Sequence, residues 1–557
     1  IKPVADLMDN IDVSVNRLSS TQILKGEFDV LTNKIKTTFN FSNPSQSIPD
    51  LLALHKVAVV LKDTGFAKAN DVARLIAMAG GVFMEATAVN QLNTIGDSAK
   101  FNLVINNRSG IAINSAQVTM LGNLIKFDSI EKNVNAVKQL TTFIGKQMPA
   151  TQPYWLQQPM DKGHFTVNEQ WLIGNAEVNE INALFQLNIG GEIYLYNLPV
   201  QYKFTDPVLG ELYQPVQFVN PFFVNTSPSL VLIKNQKEEA AQVITYTLQP
   251  NLNLKDRIII KPAGGGAKYV VKDSVMQLTK GKKILVARVV QTDDVSQNAN
   301  ILINGEATAA SLNEKQNKSL RHINYSHIPD IFYNYVDYTR ILSLNLKVAG
   351  SKAGFIAGAG DKIPDALQQM GYTVTILQEG DVSLKLLQQF DVIITGVRAY
   401  NIHSWLSNVH STLMEYVKTG GVLVVQYNTN NSIGPIKANI SPYPFTISRS
   451  RVTDENAAVH FLIPDHPVLN FPNKITAADF DGWIQERSIY HAENIDSNYQ
   501  RIFSLNDEGE KPHDGSLIIT NYGKGKFVYT GIAFFRELPA GVPGAFRLFA
   551  NVIAKQP

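Results

Sequence analysis

The stretch at residues 352–400 constrains the fold most, because buried-strand and helix patterns alternate along it. A short apolar run at 353–357 ends in the turn Gly-Ala-Gly-Asp at 358–361. A helical pattern follows, and further apolar runs begin at Thr373 and Val392. Because these strands are continuously apolar rather than alternating, both faces of their sheet should be covered by helices. The stretch therefore predicts a parallel α/β sheet.

Changes of periodicity divide the 557 residues into four predicted parts. Helical spacing of apolar residues predicts a helical segment over residues 1–88, with helices around 4–15, 51–58 and 71–79. Alternating apolar and polar residues over 89–222, and short strands separated by turns over 223–349, predict two antiparallel β-sandwiches. Residues 350–557 form the parallel α/β domain. The predicted fold class is a multidomain α+β protein.

Composition excludes several classes of function. The net charge is +2 and no basic stripe carries interleaved aromatic residues, so nucleic acid is not an expected partner. No run of 18 uncharged apolar residues occurs, so no segment is expected to span a membrane. The chain has no cysteine, which excludes disulfides, thiolate metal sites and a cysteine nucleophile.

Candidate site residues follow from one rule: in an open parallel sheet, ligands bind beyond the carboxyl ends of the strands. Arginines and amides at such a rim suit hydroxyl or carboxylate groups, and Trp483 is predicted to offer a stacking face. The alternative is that these charged residues form ion pairs that lock loops over the sheet. The candidates are Asp361, Arg398, Tyr400, Asn401, Gln426, Asn428, Asp481, Trp483, Glu486, Arg487 and Arg536.

Motifs for cofactors and nucleophiles are weak. The turn at 358–360 lacks the third glycine of a dinucleotide motif, since that position is Ile363. The elbow after the strand at 422–425 carries no Ser or Cys, and Thr429 has no evident base beside it. The glycines at 264–266 predict a hairpin, because no helix follows them.

The histidines are interpreted mainly as structural. His55 stands alone on a helical pattern, and a lone histidine is more often a packing residue than a ligand. His322 and His327 are five residues apart in a predicted loop without a nearby cluster of carboxylates, which makes them a poor zinc site. No metal ligand and no catalytic residue is assigned within this chain.

Six segments carry a family resemblance: 152–156, 358–361, 395–401, 424–428, 474–483 and 538–545. Together they resemble the C-terminal region of large bacterial PIG-L (LmbE-like) N-acetylglucosaminyl deacetylases. The resemblance implies that the last domain is similar in topology to flavodoxin-like and glutamine-amidotransferase-like domains, without the nucleophile. It also implies a bacterial protein of the periplasm or cell surface.

The catalytic part of that family is not found in this sequence. The family's catalytic domain is N-terminal, binds zinc and carries a His-Pro-Asp-Asp type motif. Here His466-Pro467 is followed by Val468 and Leu469. The resemblance therefore implies a non-catalytic accessory region that follows a deacetylase domain, with that domain as partner and with zinc bound only there.

Three hypotheses follow. The chain is an accessory region that positions the deacetylase domain or binds carbohydrate. Alternatively, it is an independent sugar-binding module with its ligand at the edge formed by Arg398, Asn428 and Trp483. A third hypothesis is a hydrolase that uses Asp361 or Asp481 as acid or base.

Overall fold

The computed structural model describes residues 22–62, 68–161, 163–175, 181–234, 241–264, 268–269, 274–291, 300–312, 314–430 and 434–555. The described chain is mixed, with many strands in several sheets and few long helices, so the predicted combination of helix and sheet is confirmed. The helix predicted around 4–15 lies outside the described residues, as does most of the predicted hairpin at 264–266.

The described chain begins with three helices that pack on one another. The third is amphipathic and buries Val72, Ala73 and Ile76. It ends at Gly80, and Gly81 takes a left-handed φ of +59° that redirects the chain. A strand follows from Val82, so the helical segment ends earlier than residue 88. The helices are α1 (Gln22–Thr38), α2 (Ile48–Lys62) and α3 (Ala69–Ala79).

Residues 82–219 form two main sheets around a shared core. The alternation predicted for Phe101, Leu103 and Ile105 is present, and these side chains meet Phe185 and Leu187 of the facing sheet. The sheet orders are β10-β9-β1-β3-β6 and β5-β4-β7-β8, and β2 pairs with β11. The strands are β1 (Val82–Ala88), β2 (Leu92–Thr94), β3 (Ser98–Asn107), β4 (Ile113–Met120), β5 (Asn123–Phe127), β6 (Asn135–Phe143), β7 (Asn182–Ile189), β8 (Glu192–Pro199), β9 (Gln201–Asp206), β10 (Gly210–Pro215) and β11 (Gln217–Val219).

Residues 222–343 form a second pair of sheets, with orders β12-β14-β18-β16 and β13-β23-β19-β15-β17. Tyr246, Ile258 and Ile303 are fully buried in the core between them. A short strand, β20, extends the second sheet, and β21 pairs with β22. The strands are β12 (Phe222–Ser227), β13 (Leu230–Ile233), β14 (Ala241–Pro250), β15 (Leu254–Ala263), β16 (Lys268–Tyr269), β17 (Ser274–Leu278), β18 (Ile284–Gln291), β19 (Asn300–Ala309), β20 (Glu314–Gln316), β21 (Lys318–Ile323), β22 (Ile331–Val336) and β23 (Tyr338–Ser343).

The prediction that these two parts are purely antiparallel is wrong for three strand pairs. β1 pairs with β9, β2 with β11, and β13 with β23 in parallel. Each parallel pair joins strands that are distant in the sequence. Alternation along a single strand specifies which face is buried, but it does not specify the direction of a distant partner.

A seven-stranded sheet organises the C-terminal part, in the order β25-β24-β26-β27-β36-β35-β33. Its long strands are β24 (Lys352–Ile356), β25 (Thr373–Ile376), β26 (Val392–Thr395), β27 (Val422–Gln426), β35 (Leu517–Tyr522) and β36 (Gly525–Thr530). The short strands of this part are β28 (Thr446–Ile447), β29 (Arg451–Val452), β30 (Val459–Phe461), β31 (Ser488–Ile489), β32 (Ala492–Glu493), β33 (Gln500–Arg501) and β34 (Phe503–Leu505). Its helices are α4 (Ile363–Gln369), α5 (Leu384–Leu387), α6 (Ala399–Ile402), α7 (Leu406–Lys418), α8 (Pro467–Asn470), α9 (Phe534–Glu537) and α10 (Pro543–Ile553).

The first five strands of this sheet are parallel, whereas β35 and β33 run antiparallel to their neighbours. Two large apolar clusters cover the two faces, as continuous apolar strands predict. The exception is β25, which was expected to be buried. Its residues Thr373, Thr375 and Ile376 are exposed, because β25 is the edge strand and pairs only with β24. Chain order reverses between β24 and β26, which makes that gap the topological switch point.

Candidate functional site

The switch point between β24 and β26 is closed by backbone rather than open to a ligand. The N–H of Ala359 donates to the carbonyl oxygen of Val397 at 2.8 Å, which joins the loops after the two strands. A Cβ on Gly358 would lie 2.1 Å from that same oxygen, so only glycine fits there. Gly358 therefore serves close backbone approach, and a ligand at this sheet edge would bind beside the switch point rather than in it.

Asp361 ties three strand ends together. One carboxylate oxygen accepts a hydrogen bond from the N–H of Ile363 at 3.1 Å. The other accepts from the N–H of Val397 at 3.0 Å and from the Gln426 amide at 3.5 Å. Burial raises the pKa of Asp361, and these hydrogen bonds oppose that rise. The carboxylate is thus engaged within the protein, and its role here is to position the loops.

Arg398 differs from Asp361, Arg487 and Arg536 because its side chain makes no hydrogen bond and no ion pair with another described residue. Its backbone adopts a left-handed conformation, φ +61°, directly before α6. Its N–H donates to the carbonyl oxygen of Tyr427 at 2.8 Å. The Nε atom is buried without a hydrogen-bond partner. A half-buried guanidinium without a counter-ion, on strained backbone at a strand end, is the feature of this edge that most favours an anionic ligand.

Tyr427, whose carbonyl oxygen accepts from the N–H of Arg398, packs against two further aromatic rings. We term these three rings the aromatic ledge: Tyr427, Tyr490 and Phe535. The ring of Tyr427 stacks on Tyr490 with centroids 5.5 Å apart and an interplanar angle of 12°. It also contacts Phe535 at 5.2 Å. All three residues are partly exposed. Burial raises the pKa of Tyr427, whereas the positive charges of Arg398 and Arg536 oppose the rise.

Arg536 stands at the other side of the ledge and is already paired. Its Nε donates to a carboxylate oxygen of Glu486 at 2.9 Å, and a second nitrogen donates to the side-chain oxygen of Gln485. Its guanidinium lies 5.0 Å from the centre of the Phe535 ring. Arg536 and Glu486 therefore follow the alternative prediction, in which ion pairs hold loops over the sheet.

The amide candidates are also structural. Asn401 donates to the carbonyl oxygens of Thr429 and Gly434 and accepts from the N–H of Thr429. Asn428 accepts from the N–H of Tyr400 at 2.9 Å. Both asparagines and the Tyr400 ring are buried. These side chains fix the loop after β27 against α6, and Thr429 is buried with them rather than presented as a nucleophile.

Trp483 lies in the core instead of at the rim. It is 4% exposed, and its indole N–H donates to the carbonyl oxygen of Asp479 at 2.9 Å. The guanidinium of Arg487, itself buried, lies 5.5 Å from its ring centre. The predicted stacking face of Trp483 is therefore inaccessible to a ligand. Sequence reasoning identified Trp483 as a candidate, but it could not predict that the surrounding loop buries the indole ring.

Asp361 and Asp481 are not brought together. Asp481 is exposed. Burial lowers the pKa of Arg487, and the charge of Asp481 is one of several that oppose this effect. The carboxylate of Asp361 is enclosed by its hydrogen-bond donors, as described above. In the part of the chain that the structure describes, no hydrogen bond joins the two acids, so a general acid–base pair of these residues has no geometric support.

The buried polar groups that the sequence analysis did not single out include Glu537, Ser488 and His491. Burial raises the pKa of Glu537 to about 8, although its carboxylate accepts from the N–H of Ile484 and lies near Arg487 and Arg536. Ser488 and His491 share a hydrogen bond of 2.7 Å, and burial lowers the pKa of His491 to about 4. Ser488 has no exposed surface, so this pair is not accessible to a substrate.

Two of the histidines singled out from the sequence, His55 and His322, pack against aromatic rings, whereas His327 is exposed. His55 lies against Tyr194 with ring centroids 4.7 Å apart. His322 stacks on Phe332 at 4.1 Å, and its Nε2 lies 3.2 Å from Asp330. Across the described residues, no group of three or more His, Asp or Glu side chains is arranged to hold a metal ion. No described helix is long and apolar enough to cross a membrane.

Comparisons with known proteins place the chain in no family. No family model and no curated protein sequence matches it. A β-galactosidase from Rahnella sp. R3 is similar to 37% of this chain at 16% identity, with a TM-score of 0.24, and the chain spans 31% of that protein's length. A putative GMP synthase component from Thermoplasma acidophilum is similar to 37% of this chain and 94% of its own, at 10% identity and a TM-score of 0.25. A red sea bream transglutaminase covers 51% of this chain and 34% of its own, at 7% identity and a TM-score of 0.22.

Proposed function

We propose that this chain is a non-catalytic accessory region whose C-terminal sheet edge binds a sugar that carries a carboxylate. The observation that carries the proposal is the unpaired, half-buried guanidinium of Arg398 beside the aromatic ledge. An Arg fork binds a carboxylate with two parallel hydrogen bonds. Aromatic rings offer an apolar surface to the C–H face of a sugar ring.

The neighbouring groups favour binding over catalysis. The residues that could move a proton at this edge are engaged in structure, since Asp361 joins loops and Glu486 is paired with Arg536 at 2.9 Å. The elbow after β27, where a hydrolase of similar topology would need an activated nucleophile, carries no Ser or Cys, and Thr429 there is buried. Cationic recognition of a ligand therefore fits the edge better than nucleophilic attack does.

The accessory role rests on the resemblance to the C-terminal region of PIG-L deacetylases. In this proposal, zinc and the deacetylation chemistry belong to an N-terminal deacetylase domain of the same protein, which acts in the periplasm or at the cell surface. The proposed layout is a helical segment, two β-sandwich units and an amidotransferase-like unit. The chain's part is to position the catalytic domain or to hold carbohydrate near it.

Calorimetric titration of the whole chain with D-glucuronate, and with D-glucose as the neutral counterpart, tests the binding proposal. We expect glucuronate to bind more tightly than glucose. Arg398→Gln should weaken glucuronate binding about tenfold or more, because a charge-assisted pair contributes about 1.5–3 kcal/mol. Arg108→Gln, which removes an exposed arginine from the turn after β3, is the matched control. Equal affinity for glucuronate in Arg398→Gln and in the control would refute the proposal.

The non-catalytic part is tested separately. Purified chain, incubated with added zinc and N-acetylglucosamine derivatives, should release no acetate above the rate without protein. Acetate release that depends on zinc and on the protein would contradict the accessory role, whatever the titration shows.

A further inference from the structure

A second cleft is lined by residues of the two β-rich parts of the chain and by none of the C-terminal sheet. Its volume is about 190 Å³. One wall comes from residues 151–157 and 169–172, and the other from residues 215–217 and 330–332. This volume is below the roughly 300–1,000 Å³ typical of sites for drug-sized ligands. A cleft of this size suits a single ring of a small molecule or one unit of a polymer.

The floor of the cleft is held rigidly. The Gln152 side chain accepts from the N–H of Asn334 at 2.7 Å and donates to the carbonyl oxygen of Leu156 at 3.1 Å. Thr151 exchanges two hydrogen bonds of 2.8 Å with the backbone of Phe218. The segment that carries the aromatic lining is therefore fixed to strands of both β-rich parts, so the cleft is formed without a ligand.

The lining combines aromatic rings with polar side chains. Trp171 is 73% exposed, and Tyr154 and Trp155 are partly exposed with ring centroids 4.9 Å apart. Gln217 is only 5% exposed as a residue, and its side-chain amide makes no hydrogen bond to another described residue. Its amide atoms are not among the fully enclosed polar atoms that lack a partner, so they keep access to the cleft. The amide can therefore exchange hydrogen bonds with a ligand in the cleft.

The charges of the lining decide the class of ligand. The lining residues include the carboxylates of Glu169 and Asp330 and no cation. Asp330 is occupied, since it accepts from Gln91 at 2.9 Å and lies 3.2 Å from Nε2 of His322. An anionic ligand is therefore disfavoured. A quaternary ammonium would suit the rings but would leave the Gln217 amide without a partner. A neutral sugar ring offers both an apolar face to the rings and hydroxyl groups to the amide and to Glu169.

We propose that this cleft, formed by Tyr154, Trp155, Trp171, Glu169 and Gln217, binds one neutral pyranose unit. The indole and phenol rings take the apolar face of the sugar. Gln217 donates hydrogen bonds to the hydroxyl groups of the sugar or accepts them, and the carboxylate of Glu169 accepts them. The site is independent of Arg398 and of the accessory role, and it differs in ligand charge from the edge of the C-terminal sheet.

The test uses the whole chain and follows tryptophan fluorescence during titration with methyl β-D-glucopyranoside, methyl β-D-galactopyranoside and N-acetyl-D-glucosamine, with choline chloride as the cationic comparison. We expect at least one neutral sugar to bind with a dissociation constant of about 1 mM or lower. Calorimetry with Trp171→Ala should show affinity reduced about tenfold, and Gln217→Leu should show a similar loss.

Controls separate this site from other effects. Phe143→Ala removes another exposed aromatic ring, 63% exposed on β6, and should leave the affinity unchanged. Trp171→Ala is expected to fold normally because its side chain is largely exposed. Three results would each overturn the proposal. None of the three sugars binds, sugar binding is unchanged in Trp171→Ala, or choline binds and the sugars do not.

Discussion

The N–H of Arg398 donates to the carbonyl oxygen of Tyr427 at 2.8 Å while Arg398 holds a left-handed φ of +61°. This bond ties the end of β26 to the end of β27. The positive charge of Arg398 also acts on the ring of Tyr427, which contacts Tyr490 and Phe535. Strained backbone persists only where surrounding structure holds it, and it is frequent at binding sites. This hydrogen bond therefore links the residue with the strained backbone and the unpaired side chain, Arg398, to the first residue of the aromatic ledge, Tyr427.

The strain at Arg398 predicts a conflict between stability and binding. Arg398→Gly should be as stable as the wild type or more stable by up to about 1 kcal/mol, because glycine adopts the left-handed conformation without steric cost. The same variant should lose glucuronate binding. Arg398→Val, with a β-branched side chain, should be less stable than Arg398→Gly by about 1–2 kcal/mol. Urea unfolding measures both differences, and a glycine variant less stable than the valine variant would contradict the role of strain.

Trp483→Ala is predicted to destabilise the protein by about 3–5 kcal/mol, as expected for removal of a buried indole. The loss includes the hydrogen bond to Asp479 and the contact of the Arg487 guanidinium with the ring. Denaturant titration checks this value. The comparison is Trp171→Ala, which should change stability by less than about 0.5 kcal/mol. Similar stabilities for the two variants would show that Trp483 is not a core residue.

Asn401→Ala should lower the free energy of unfolding by about 2–4 kcal/mol. The substitution removes the side chain that hydrogen-bonds the N–H and carbonyl of Thr429 and the carbonyl of Gly434. Hydrogen exchange should become faster in the loop after β27. Asn408→Ala is a matched control, since its amide bonds to Glu379 on the exposed surface. Unchanged exchange in that loop would mean that Asn401 does not hold it.

The buried carboxyl of Glu537 predicts a dependence of stability on pH. Its pKa is about 8 in the folded protein, against an ordinary value of 4.5, so the folded state binds a proton that the unfolded state has released. The contribution of the protonated carboxyl to the free energy of unfolding is fully present below about pH 4.5. It declines as the pH rises above 4.5 and is lost once the pH passes about 8. The free energy of unfolding of the wild type should therefore fall relative to that of Glu537→Gln over this range.

Urea unfolding of both proteins at several pH values provides the measurement. His491 acts in the opposite direction, since its pKa is lowered to about 4 and its neutral form gains stability as the pH rises towards 6.5. That contribution is common to both proteins and cancels in their difference. A difference that does not vary with pH would show that the carboxyl of Glu537 is not protonated in the folded state.

Local pattern was enough to predict the main elements of the C-terminal sheet. Continuous apolar runs bounded by glycine predicted β24, β26 and β27, because these strands are buried on both faces. The expected burial of β25 failed because edge position depends on strand order, which no single segment encodes. The parallel pairs β1–β9 and β13–β23 were missed for a related reason, since their partners are far apart in the sequence.

The candidate site was predicted only in outline. The strand-end rule correctly brought Arg398, Gln426 and Asn428 to one edge, because parallel strands share that edge. It did not separate the unpaired Arg398 from Arg536, whose partner Glu486 is supplied by a loop 50 residues away. Tyr490 of the ledge lies in another loop, and its position depends on long-range packing against Tyr427. Burial of Trp483 depends on the same kind of contact.

A crystal structure of the chain with bound D-glucuronate tests the central claim most directly, because it shows where the carboxylate lies. We predict that the sugar carboxylate lies about 2.7–2.9 Å from the guanidinium nitrogens of Arg398, with the sugar ring against the aromatic ledge. Glucuronate bound at another place, with the Arg398 side chain free of contact to it, would contradict the account.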